Sequence, residues 1–193
     1  LSFLLAAVVS IKNLREPDIW WQIRTGEWII DHQKVPTVDV FSFTQQGQDW
    51  INIKWGFEVL AAWISKTLGP ESIFILQMLV SLLILYFIKK IGELFNLNNA
   101  TLFFITTILL LFGIEYRIIG RPEMFSHLFV VVFIYLLLKY TNTQSKHIYW
   151  VIPLQIFWCN MHEAYAIGIV MLGIYTLIKW FEYAILKKSK PYE

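Results

Sequence analysis

The chain has 193 residues, of which 57% are hydrophobic, 17% aromatic and only 16% charged, and its mean hydropathy is +0.55. This balance excludes an ordinary soluble domain and places the chain in a bilayer. Lys and Arg number 16 against 14 Asp and Glu, a net charge of +2; no nucleic-acid partner is expected, and the lone Cys159 excludes a disulfide within these residues.

Apolar runs fall at 1–11, 72–88, 100–114, 124–138, 148–158 and 164–181, with charges gathered between them. They predict an all-α, polytopic integral membrane protein with about six membrane segments, all in one membrane domain over 1–193. A crossing takes about 20 apolar residues, and 72–88 and 164–181 come close. The first run starts at Leu1, already apolar and without Met, so 1–15 reads as the end of a span that begins upstream and the chain as a piece of a longer protein. Residues 148–158 are short and contain Pro153, which leaves three expectations: a kink, partial insertion, or anchoring at the interface by Tyr149, Trp150 and Trp158. Residues 71–193 thus carry five further segments after a long outer loop at 16–70.

Loop charges give the orientation. With 16–66 outside, the inner loops hold Lys89, Lys90, Lys139, Lys146, Lys187, Lys188 and Lys190, whereas the basic residues of the outer stretches are outnumbered by carboxylates. Asn99-Ala100-Thr101 matches a glycosylation sequon but falls on the inner side, where it stays silent. The same topology brings three polar stretches to the outer face: the long loop with Asp18, the turn from Glu115 through Arg117 and Arg121 to Glu123, and the turn from Trp158 through Asn160 and His162 to Glu163.

Within the long loop, Pro17 suits the first position of a helix, and the pattern predicts helix over 17–31. Ile19, Ile23, Gly26 and Ile30 form one stripe, on which this helix is expected to lie along the membrane surface. Asp18, Gln22 and Thr25 line another face beside Trp21 and Trp28. Residues 32–51, with Pro36, Asp39, Gly47 and Asp49, read as a turn-rich connection, in which Asp39 is expected to cap a turn. A second amphipathic helix over 52–66 then leads through Gly69-Pro70 into the next span.

Several of these stretches resemble one family. Pro17-Asp18-Ile19-Trp20-Trp21, Thr25-Gly26-Glu27-Trp28-Ile29, Asp39-Val40-Phe41-Ser42-Phe43-Thr44 and Trp50 look like the first outer loop of bacterial membrane proteins of the GT-C superfamily, the lipid-linked-sugar-dependent glycosyltransferases that include dolichyl-phosphate-mannose mannosyltransferase-like enzymes. Arg121-Pro122-Glu123-Met124-Phe125-Ser126 and Trp158-Cys159-Asn160-Met161-His162 resemble two further turns of that family. The chain departs from it in Glu163-Ala164, where small residues commonly follow the His.

The resemblance implies a cell-envelope transferase in the bacterial inner (cytoplasmic) membrane. It would move a sugar from a polyprenyl-phosphate-linked donor to an unknown acceptor on the non-cytoplasmic side, with two juxtamembrane helices in the first outer loop. Asp18 matches the family's acidic residue, a general base or the ligand of a divalent metal where the donor requires one. Arg121 and Arg117 would hold the donor phosphate, since a guanidinium binds phosphate oxygens in two-pronged fashion. Glu123, Asn160, His162 and Glu163, with Trp21 and Gln22, would shape the rest of the substrate site.

Each residue also has a structural role open to it. An Asp in a helix's first turn is favoured by the dipole, an Arg at a helix end reaches headgroups, and tryptophans gather at interfaces without any sugar. The alternative function is a non-catalytic polytopic component, such as a scaffold of an envelope assembly. A transporter fits less well, because the ionisable residues collect at the rim rather than the midplane. Walker, dinucleotide, Cys-x-x-Cys and His-Glu-x-x-His motifs are missing from the sequence.

Overall fold

The computed structural model describes residues 1–11, 17–114 and 120–186. Among them every regular element is helical: α1 (Ser2–Ser10), α2 (Asp18–His32), α3 (Trp55–Leu68), α4 (Ile73–Leu94), α5 (Ala100–Ile114), α6 (Glu123–Thr143), α7 (Val151–Met161) and α8 (Ala166–Leu186). The only extended pairing among the described residues is an antiparallel bridge between Val38 and Asp49.

All six apolar runs are helical, and three helical segments are long and apolar enough to cross a membrane: Pro70–Leu94, Glu123–Thr143 and Glu163–Ile185, of 25, 21 and 23 residues. At a rise of 1.5 Å per residue, about 20 residues cover a hydrocarbon core of roughly 30 Å. The helix at 100–113 is apolar but shorter. Pro153 sits in the first turn of α7, where its missing N–H has no intrahelical partner to lose. Asn99, of the sequon, caps α5 by accepting from the Leu102 N–H at 2.9 Å.

Side-chain pairings set the direction of the helices. Ser126 near the start of α6 meets His162 just past the end of α7, so these two run antiparallel, while Thr141 near the end of α6 bonds Tyr175 of α8 at 3.0 Å, so α6 and α8 run parallel. The starts of α6 and α8 and the end of α7 therefore share one end of the bundle.

The two loop helices close over that end. The isoleucine stripe predicted to rest on lipid packs instead on α3: Ile19 and Ile23 are buried with Phe57, Ala61 and Ile64 in one cluster that continues through Ile73, Phe125, Phe129 and Trp158. An apolar stripe can be satisfied by any apolar partner, and a second amphipathic helix 14 residues long supplies one here. Gly26 makes the approach: a Cβ there would lie 1.9 Å from the Glu58 carbonyl oxygen. Trp158 is fully buried, its ring 5.4 Å from Phe129 and 5.6 Å from Phe133. By contrast α8 presents Ile169, Val170, Ile174, Leu177 and Ile178 outward, an apolar surface suited to hydrocarbon.

Candidate functional site

Asp18 opens α2 after Pro17 and is exposed; its Oδ1 accepts from the Trp21 indole N–H at 3.3 Å. One face of that indole lies under the Lys54 ammonium, 4.6 Å from the ring centroid. A carboxylate, an indole and an ammonium thus stand in sequence, drawn from two segments that the turn-rich connection separates. Gln22, predicted to meet substrate, is 2% exposed, and its Oε1 has no hydrogen-bond partner. The adjacent apolar stripe packs on α3 and carries Gln22 out of the solvent, so it is a buried position of this helix pair.

The turn after α7 is tied to both neighbouring helices. Asn160 accepts from the Trp55 indole N–H at 2.8 Å and donates to the Ile156 carbonyl at 2.7 Å, fixing the start of α3 to the end of α7. Trp158 donates to Ser126 Oγ at 2.7 Å, and Ser126 Oγ lies 2.7 Å from His162 Nδ1. The Ala164 N–H also points at Nδ1, at 3.3 Å. A nitrogen that accepts from a backbone N–H carries no proton, so Ser126 donates to it as well and the imidazole proton sits on Nε2. Burial pushes the His162 pKa below its ordinary 6.5; Glu163 and Glu123 act to raise it, and Lys54 and His127 to lower it further. The result is a neutral histidine with an N–H donor at Nε2, within the electrostatic influence of two carboxylates and a lysine.

Of the other predicted residues, Glu123 stands in the first turn of α6 with a carboxylate oxygen 3.8 Å from His127 Nε2. Arg121 is half-buried just before that helix and Glu163 is exposed. Arg117 lies outside the described residues. Lys54 stands over Trp21, which bonds Asp18, and the bond from the next residue, Trp55, to Asn160 brings this end of α3 to the turn that carries His162.

Sequence reasoning missed three participants. Glu58, fully buried on α3, has Oε2 2.5 Å from the Asn52 amide and no partner for Oε1. Burial pushes its pKa up from 4.5 to about 7, against the lowering effects of the Asn52 bond and of Lys54. Lys54 itself and Ser126 were passed over too. The signal for Glu58 was present: with Ala61, Ala62 and Ser65 it lies on the small-residue face of α3, where a carboxylate cannot reach water. Asp39 caps its turn as expected, accepting from the Phe41 and Ser42 N–H groups at 2.8 Å each and from the Ser42 hydroxyl, bonds that hold its pKa down.

No group of three His, Cys, Asp or Glu side chains with metal-binding geometry occurs among the described residues.

Fold and site together define an all-α protein with three helices able to cross a membrane and a polar cluster at one end of the bundle. No known protein family, characterised protein or solved structure matches the chain.

Proposed function

We propose that the chain is the membrane domain of a GT-C-type glycosyltransferase, moving a sugar from a polyprenyl-phosphate-linked donor to an acceptor hydroxyl at the non-cytoplasmic face of the bacterial inner membrane. In this proposal all six apolar helices belong to the membrane and α2 and α3 are its juxtamembrane pair. The observation that carries it is that the Trp55–Asn160 and Ser126–His162 bonds bring the stretch with Asp18 and Lys54, the start of α6 with Glu123, and the turn with His162 to one end of an apolar bundle. A reaction between a lipid-linked phosphate and a water-borne acceptor has to occur at such a rim.

Asp18 takes the proton from the acceptor hydroxyl as its oxygen attacks the anomeric carbon. The bond from that carbon to the phosphate oxygen breaks, and its electron pair leaves with the phosphate. Lys54 and Arg121 offset the charge growing on that oxygen, and the His162 Nε2–H donates to it. Glu58, buried and bonded to Asn52, holds the start of α3 and so the position of Lys54.

Membranes containing the full-length protein, incubated with a panel of labelled polyprenyl-phosphate sugars, test this proposal. Label transferred from lipid to a water-soluble or protein acceptor is the expected result. If every donor stays intact, the non-catalytic envelope component becomes the better account.

A further inference from the structure

The connection between α2 and α3, with one side of α2, lines an open cavity of about 540 Å³ that none of the transfer chemistry above uses. Its volume is that of a small-molecule site. Backbone bonds preform it: Asp39 N–H to Gln48 O, Gly47 N–H to Asp39 O and Trp50 N–H to Thr37 O are each 2.8 Å, and the bridge between Val38 and Asp49 closes the ring. Gly47 turns the chain at φ 82°, a left-handed conformation that favours glycine.

The lining is mixed in a particular way. Trp21, Phe41 and Trp50 supply aromatic surface, with Phe41 and Trp50 edge to face at 6.4 Å. Gln45 and Gln48 add amides, and Asp49 a carboxylate with no hydrogen bond or ion pair among the described residues. The other charges are occupied: Arg24 is paired with Glu27 at 2.9 Å, and Asp39 holds its turn. An anionic ligand would face the Asp49 carboxylate uncompensated. A neutral ligand with apolar faces and many hydroxyls satisfies both the rings and the amides.

We infer that this cavity is a saccharide subsite, and, resting on the transferase proposal, that it holds the acceptor sugar rather than the lipid-linked donor. Trp21 borders the cavity and is also the residue whose indole bonds Asp18, so a sugar seated there brings a hydroxyl toward the proposed base. The donor phosphate then belongs on the other side, with Lys54 and His162.

The test is saturation-transfer NMR and calorimetric titration of the full-length protein in nanodiscs, with methyl glycosides and short oligosaccharides as probes and tetramethylammonium as a cationic control. Wild type is expected to bind at least one saccharide and not the control. Asp49→Asn and Trp50→Ala should each weaken that binding about tenfold or more, because a charged hydrogen bond or a ring face is lost. Trp63→Ala, at an exposed position on α3, should leave it unchanged. Failure of every saccharide to bind wild type, unchanged affinity in both cavity variants, or binding of the cation alone overturns the inference. The two proposals separate cleanly. Saccharide binding without transfer from any donor removes the transferase and keeps the subsite, whereas transfer with an unaltered acceptor KM in Asp49→Asn does the reverse.

Discussion

Gly26→Ala is the sharpest perturbation of the helix pair that carries Asp18 and Glu58. A Cβ at this position would stand 1.9 Å from the Glu58 carbonyl oxygen, 2.4 Å from its carbonyl carbon and 2.8 Å from Ala62 Cβ. Two of those atoms are helix backbone and cannot rotate away, so α2 and α3 must part by about 1.5 Å to recover ordinary van der Waals contact. Two effects compete. Alanine favours a helix over glycine by about 0.5–1 kcal/mol, whereas overpacking of a close contact costs about 1–3 kcal/mol, and more when backbone must move. The steric term wins, and a net loss of about 2 kcal/mol should lower the Tm of the full-length protein in nanodiscs by roughly 4–8 °C. Gly173→Ala on α8, where nothing lies within 4 Å of the added Cβ, should leave Tm unchanged or slightly raised. If Gly26→Ala raised Tm as Gly173→Ala does, the close crossing of α2 and α3 would be wrong, and with it the placement of Lys54 over Trp21.

The other predictions concern the groups around this pair. Glu58 has a folded pKa raised from 4.5 to about 7, so its contribution is greatest below about pH 4.5 and declines as pH rises toward 7, where the buried carboxyl must ionise. Glu58→Gln should flatten that decline in a series of melts across pH 4–8, and an identical slope in both proteins would refute the burial argument. His162, whose pKa is depressed, should titrate below 6.5 by NMR with the proton of its neutral form on Nε2; its contribution to stability is present above 6.5 and lost as pH falls through the depressed value. Titration above 6.5 would contradict the burial of the ring. Trp55→Phe leaves Asn160 Oδ1 without its indole donor and should cost about 1–2 kcal/mol, and a double-mutant cycle with Asn160→Ala should return a coupling of about 1 kcal/mol. Zero coupling would mean that the bond does not tie α3 to α7.

Much of the helical framework was legible because its signals are local. The predicted helices at 17–31 and 52–66 are observed as Asp18–His32 and Trp55–Leu68, and each apolar run contains a helix. What could not be read was partnership. An isoleucine stripe carries the same periodicity whether it meets lipid or α3, and only the crossing at Gly26 distinguishes them. Gln22 was misplaced for the same reason: its face looks polar by composition, yet the neighbouring helix covers it. Asp39 was readable as a turn cap, since that role depends on residues two and three positions ahead. Lys54 and Ser126 were not, since their contacts with Trp21 and His162 span 33 and 36 residues and leave no periodic trace.

The most direct measurement is the initial rate of sugar transfer from a labelled polyprenyl-phosphate donor by wild-type and Asp18→Asn full-length protein, matched for membrane insertion. The Asn side chain keeps the size and an acceptor oxygen but cannot take the hydroxyl proton. The account predicts a measurable wild-type rate and a loss of about a hundredfold or more in the variant. Equal rates in the two proteins would contradict it.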